Sequence, residues 1–259
     1  MGEHFTRAVV CPPSSTFADG LTTVSLGFPI LEKAIEQHRA YCRALDAAGL
    51  EIITLDPDAE YPDSTFVEDT AVLTPNRAVI TRPGASSRTG EVDRMAEALS
   101  YHYNEIDVIQ PPGTLDGGDV CQIEDRFIIG ISDRTNEDGV RQLSRSLSAD
   151  GFSSAFVDIR AVDQILHLKS GVTYIGDNRV LVIESLTDKL PYDGQETIIV
   201  PDGEEYAANC IRVNDHLLMP AGFPRLRAIL SDLEYHTVEL EMSEFQKMDG
   251  GLSCLSLRF

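Results

Sequence analysis

A hairpin, a helix and a single strand follow one another repeatedly along this chain, and that recurrence limits the fold more than any other feature. Apolar alternation marks a hairpin at 71–74 and 77–82 around Pro75-Asn76. It is followed by an amphipathic helix near 89–102, with Val92, Met95, Ala96 and Leu99 inward, and a strand at 107–110. The same order returns with strands at 119–123 and 126–132 around Glu124-Asp125, a helix carrying Val140, Leu143 and Leu147, and a strand at 155–159. It returns less completely at 171–175, 180–183 and 197–200 around Gly176-Asp177-Asn178. A further copy has strands at 210–213 and 216–219, a helix carrying Leu226, Ile229 and Leu233, and a strand at 237–240. The hairpins begin near residues 69, 119, 169, 209 and 254, so each copy takes about 40–50 residues, the period of a repeat architecture.

Four of these ββαβ modules are internal, and a fifth is divided between the chain ends. A strand at 7–10, a helix over 30–48 and a strand at 51–55 lie at the start; the helix has Leu31, Ile35, His38, Cys42 and Leu45 inward and stops at Gly49. The missing strand is at the other end, around Cys254. Joining the two ends would close a ring of five units and remove most exposed sheet edges; a single open α/β sheet is the alternative. No stretch is long or polar enough to act as a linker, so residues 1–259 are expected to form a single catalytic domain.

Composition narrows the partners. The 21 Lys and Arg oppose 42 Asp and Glu, a formal net charge of −21, which repels nucleic acid and attracts a cationic small molecule. No apolar run approaches the roughly 20 residues that span a bilayer, and the first residues lack the basic-then-apolar plan of a secretory signal. Gly2 with Thr6 fits a loose myristoylation pattern that is too short to carry weight. Five scattered cysteines with no Cys-x-x-Cys spacing read as reduced thiols. A cytoplasmic protein is expected, with no membrane or nucleic-acid partner, as monomer or homodimer.

Groups useful for catalysis fall where the modules begin: Glu68-Asp69, Asp116-Gly117-Gly118-Asp119, His167, Asn209 and Cys254. A ring would bring them together at its centre. Leu252, Leu255 and Leu257 read as a short buried strand holding the Cys254 thiol beside the Gly250-Gly251 turn, although an unpaired cysteine is ordinarily a small core residue. If the groups meet, the Cys254 thiolate attacks an electrophilic carbon, His167 moves the protons, and Asp116 or Asp119 orients the imidazole. The glycines between those aspartates would let the chain pass close to a ligand. Asp63, Glu68 and Asp69 lie among the apolar Phe66, Val67, Ala71 and Val72, where carboxylates need cations and a planar guanidinium suits them. Arg88 and Arg134 follow hairpins at matching points of successive modules and could hold a substrate carboxylate.

Over essentially its whole length the chain resembles the dimethylarginine dimethylaminohydrolases, within the guanidino-group modifying enzymes. The motifs are Asp19-Gly20-Leu21, Asp63-Ser64-Thr65-Phe66-Val67-Glu68-Asp69, Leu115-Asp116-Gly117-Gly118-Asp119, Arg134-Thr135-Asn136, Leu166-His167-Leu168-Lys169-Ser170, Asn209-Cys210 and Asp249-Gly250-Gly251-Leu252-Ser253-Cys254. The resemblance implies a five-bladed α/β propeller, the pentein fold. It also implies hydrolysis of asymmetric dimethylarginine or monomethylarginine to citrulline plus a methylamine, with no cofactor and no catalytic metal. A thiolate, imidazole and carboxylates at one site could nevertheless bind zinc adventitiously. Carried over by position, Cys254 is the nucleophile, His167 the general acid and base, and Asp116 the carboxylate that orients it. Asp63, Glu68 and Asp69 match substrate contacts, Arg88 and Arg134 the α-carboxylate clamp, and Leu21 and the Met248 backbone further contacts. The segment 18–26 resembles a loop that closes over the substrate. Arginine deiminases of the same broad group have His-x-Asp where this chain has His167-Leu168-Lys169, which favours a methylated leaving group. The alternative is a deiminase acting on another guanidine such as arginine. A binding-only protein on this fold would need no nucleophile.

Overall fold

The computed structural model describes residues 4–191 and 194–259. Its strands form five three-stranded sheets, each an antiparallel pair extended by one parallel strand. The first module is completed from both chain ends. After β1 (Arg7–Val10) come α1 (Leu31–Ala47) and β2 (Glu51–Thr54), and β1 runs parallel to β2 with Val9 opposite Ile53. The second module contains β3 (Ala71–Leu73), β4 (Arg77–Ile80), α2 (Glu91–Ser100) and β5 (Glu105–Val108). The third contains β6 (Val120–Ile123), β7 (Arg126–Ile131), α3 (Glu137–Ala149) and β8 (Ser153–Asp158). Next are β9 (Val172–Gly176), β10 (Arg179–Val182) and β11 (Glu196–Ile199), then β12 (Ile211–Val213), β13 (His216–Pro220), α4 (Pro224–Asp232) and β14 (Thr237–Leu240). After a short α5 (Ser243–Gln246) the chain ends in β15 (Leu257–Arg258), which lies antiparallel on the free edge of β1. The ring closes where the sequence predicts, and β1 has no open edge.

Two expectations need correction. Helix α1 buries Ala34, His38, Tyr41 and Leu45, whereas Leu31, Ile35 and Cys42 lie on the flanks of that stripe. The stripe is turned toward Tyr41 because its hydroxyl meets the Ser256 hydroxyl at 2.6 Å, which satisfies the polar tip of a fully buried ring. Cys254, moreover, is not on a strand. It lies in a single 3-10 turn, Ser253–Leu255, and the strand begins only at Leu257.

That turn is one of a set. Val67–Thr70, Gly117–Asp119, Leu168–Ser170 and Glu205–Ala208 are also 3-10 turns, each immediately before or within two residues of its module's first strand. Every module thus begins with a tight turn at the axis. The apolar core lies between neighbouring sheets: Val9, Ala78, Ile80, Met95 and Leu99, for example, form one cluster that joins the first two modules. Among the described residues no helix is long and apolar enough to cross a membrane.

Candidate active site

The axial turns surround a cleft of about 370 Å³ of empty space, part of it open to solvent, and Cys254, His167, Asp116, Asp69, Arg88 and Arg134 all line it. Leu21, Asp63 and Met248 line it as well. Of the predicted site residues, only Glu68 is not in that lining. Its carboxylate stands behind the surface, 3 % exposed, and is held by Lys169 Nζ at 2.5 Å and by the Ser253 hydroxyl at 2.7 Å.

Geometry separates the two aspartates that the residues alone left as alternatives. Asp116 Oδ2 is 3.1 Å from His167 Nε2, and Asp116 Oδ1 accepts the Gly84 N–H at 2.8 Å. Asp119 does not reach the ring. Its oxygens accept the Leu168 N–H at 3.0 Å and the Ser132 hydroxyl at 2.6 Å, so it fixes the backbone that follows His167. Burial alone would lower the basicity of His167, but the carboxylates of Asp69, Asp119 and Asp116 outweigh it and raise the imidazole to about 10. The ring is therefore cationic at neutral pH. Burial, reinforced by the charges of Glu68 and Asp69, pushes the Cys254 thiol up to about 12, although the Gly251 N–H points at its sulfur from 3.4 Å.

The two arginines are not equivalent. Arg88 is buried and heavily engaged: Asp69 at 2.5 Å, Glu91 through both Nε and Nη2, and the carbonyls of Asp63 and Phe66. The guanidinium of Arg134 has no hydrogen bond or ion pair among the described residues. A substrate anion would meet one committed cation and one available one. Asp63 accepts the Leu21 N–H with both oxygens, at 3.1 and 3.2 Å, which ties the segment after Gly20 to the cleft wall. Thr22 and Thr23 bind the Lys247 carbonyl and the Asp249 carboxylate, so the same segment is also held from the cysteine side. The rings of Phe17, Phe66 and Phe245 pack at centroid distances of 5.6–6.3 Å beneath it.

Sequence reasoning passed over Glu91, Ser253 and Ser132. Glu91 stands three residues after Arg88 at a helix start, an i,i+3 pairing that was available to be read. Ser253 meets Glu68 across 185 residues, and no local signal announces that contact. The structure shows what the glycines make room for within the protein. A Cβ on Gly117 would sit 2.0 Å from the Glu68 carbonyl oxygen, and one on Gly118 would sit 2.8 Å from His167 Nδ1 and 2.9 Å from Asp69 Oδ1. They make room for neighbouring modules and for the imidazole. Gly118→Ala is expected to displace the ring and lower kcat about 100-fold, with the melting temperature changing much less than activity. Steady-state assay beside thermal melting checks this, and unaltered kcat would exclude such a packing role.

Fold and site together define a guanidino-group modifying enzyme of the pentein superfamily, and residues 62–217 match the family model for arginine deiminase. The N(G),N(G)-dimethylarginine dimethylaminohydrolase of Pseudomonas aeruginosa is 42% identical over 98% of this chain and 100% of its own. The enzyme of that name from Streptomyces coelicolor is 39% identical over 97% and 96%. A solved structure of the Pseudomonas protein, a cysteine-to-serine variant complexed with citrulline, superposes with a TM-score of 0.95 at 41% identity, covering 99% of this chain and 100% of that one. The chain belongs to the dimethylarginine dimethylaminohydrolase family.

Proposed function

We propose that the chain, acting as one catalytic domain, hydrolyses Nω,Nω-dimethyl-L-arginine and Nω-monomethyl-L-arginine to L-citrulline and dimethylamine or methylamine. The observation that carries this reading is the convergence in one cleft of Cys254, the Asp116-held His167 and acidic side chains suited to a guanidinium. The bound cation offsets the negative surroundings that keep Cys254 protonated, and its proton leaves to solvent because His167 already carries one. The sulfur then bonds to the guanidinium carbon. As the C–N bond to dimethylamine breaks, His167 gives its proton to the departing nitrogen, and a covalent S-alkylthiouronium remains. Neutral His167 next takes one proton from water, whose oxygen bonds to the same carbon; the C–S bond then breaks, and the remaining O–H proton passes to the departing Cys254 sulfur, which leaves the ureido group of citrulline and restores the thiol.

Asp116 occupies Nε2, leaving Nδ1 for proton transfer. Arg134, assisted by Arg88, binds the α-carboxylate. Asp63, Asp69, Leu21 and the Met248 backbone line the path of the chain between the two ends of the substrate, and Glu68 contributes negative charge beside the sulfur. Agmatine, with no carboxylate, would leave Arg134 unused. Incubation with asymmetric dimethylarginine, arginine and agmatine, following ureido product and amine, tests the reading. Conversion of the methylated arginine is expected, with agmatine at least about 100-fold poorer because it forfeits a charge-assisted contact. No ureido product from any methylated arginine would overturn it.

A further inference from the structure

The Gly251 N–H that points at the Cys254 sulfur belongs to a peptide flanked by glycine on both sides, and the packing allows nothing else. A Cβ on Gly250 would run into the Phe66 ring, and one on Gly251 into the Asn209 amide. Room for the neighbouring modules is thus obtained with the two residues least able to hold a peptide plane in one orientation. Restraint has to come from outside. The Gly250–Gly251 bond is trans, so its C=O and N–H point in opposite directions from one plane, and holding either end fixes the other. Tyr206 holds the carbonyl end. Its hydroxyl donates to the Gly250 carbonyl oxygen at 2.8 Å, on the far side of the peptide from the N–H that meets the sulfur at 3.4 Å. The phenol is itself anchored: it stands in the axial turn Glu205–Ala208, its ring lies against Phe223 at a centroid distance of 5.8 Å, and burial keeps it protonated.

Resting on the hydrolase reading above, we propose that Tyr206 is a positioning residue for the nucleophile: its hydroxyl fixes the Gly250–Gly251 peptide so that the Gly251 N–H faces the sulfur whenever that atom carries negative charge. The sulfur needs such a donor. Glu68 and Asp69 oppose an anion there, and the ammonium of Lys169 is already paired with Glu68. Cationic His167 lines the same cleft, but its proton is committed to the departing amine. A preset N–H costs no reorganisation when charge appears on the sulfur, both as the thiol ionises and as the C–S bond breaks. The aligned O–H, C=O and N–H dipoles also polarise one another, so the phenol strengthens the donor that it aims.

Tyr206→Phe removes one oxygen and keeps the ring. Its kcat for asymmetric dimethylarginine is expected to fall about tenfold with KM within about threefold of wild type, because the hydroxyl touches none of the groups assigned to the two ends of the substrate. Alkylation of Cys254 by iodoacetamide separates aim from mere support. Fewer thiolates form at any given pH, and their greater nucleophilicity offsets only part of that, so alkylation should run about threefold slower throughout its alkaline climb. A turn that had simply loosened would expose the sulfur further and alkylate faster, and the charges of Glu68, Asp69, Lys169 and His167 are the same in either case. Phe223→Leu, which loosens the ring and leaves the hydroxyl, is expected to lower the melting temperature without slowing alkylation. Alkylation of Tyr206→Phe at the wild-type rate or faster would overturn the proposal, as would equal slowing in Phe223→Leu. The alkylation rates need no turnover, so absence of ureido product in the wild type would sink the hydrolase reading alone.

Discussion

Cys254→Ser is expected to lower kcat by at least about 10⁴-fold while the melting temperature stays within a few degrees of wild type. The side chain differs by one atom, and the turn that carries it is secured by neighbours: Ser253 through Asn209 and Glu68, and Leu252 and Leu255 through complete burial. The loss is chemical. A hydroxyl in the same negative surroundings has no accessible oxyanion near neutral pH, and His167, already protonated, cannot serve as its base. Substrate should still bind, because none of the contacts proposed for its two ends involves the sulfur. Isothermal titration of the variant with asymmetric dimethylarginine measures this beside the assay, and turnover within tenfold of wild type would remove Cys254 as nucleophile. The thiol state has its own signature. With the free thiol pushed up to about 12, alkylation of Cys254 should climb throughout the alkaline range, and an inert guanidinium-bearing analogue should move that climb to lower pH. Coincident curves would refute substrate-assisted ionisation.

The sequence made the modules legible because the four internal ones each contain a hairpin of alternating residues and four of the five carry a helix with a clear apolar face. Where the pattern was weakest, in the module around β9, the described residues between β10 and β11 have the 3-10 turn Glu184–Leu186 and no α-helix. The parts that escaped were those without a period. A three-residue turn such as Ser253–Leu255 leaves no trace in apolar spacing, and Leu252, Leu255 and Leu257 fit a strand as readily as a turn followed by a strand. In α1 the expected inward residues His38 and Leu45 are buried and Leu31 and Cys42 pack against the core, but the centre of the stripe was missed because Tyr41 was not counted as apolar, although a buried tyrosine needs only one partner for its hydroxyl. The site was partly visible as chemistry at module starts. Which oxygen meets which donor was not, since Glu68 to Ser253, Asp116 to His167 and Lys169 to Glu68 join residues 185, 51 and 101 positions apart.

The same distance in sequence makes the chain end unusually consequential. Deleting residues 256–259 leaves Cys254 in place yet removes the strand that closes the ring, and the melting temperature is expected to fall by about 10–20 °C. The deletion takes away the Phe259 carbonyl that accepts from Thr6 N and Arg7 N at 2.9 and 2.8 Å, and the Phe259 N–H that binds the Arg7 carbonyl at 3.0 Å. Tyr41 loses Ser256, its hydroxyl partner in the core. Leu257 surrenders a buried position between two modules, worth about 1.5–3 kcal/mol, and Phe259 leaves the rings of His102 and Tyr103 at 5.3 and 5.5 Å. Together with the newly exposed edge of β1, these losses reach roughly 5 kcal/mol, a large part of the 5–15 kcal/mol that holds a typical fold together. Activity should disappear under conditions where the truncated chain is still mostly folded, because β15 anchors the turn bearing Cys254 from its C-terminal side. Thermal melting and the citrulline assay on the truncated chain separate the two effects. A melting temperature within about 2 °C of wild type would mean that the ring is held shut by its internal sheets and not by the joining of its ends.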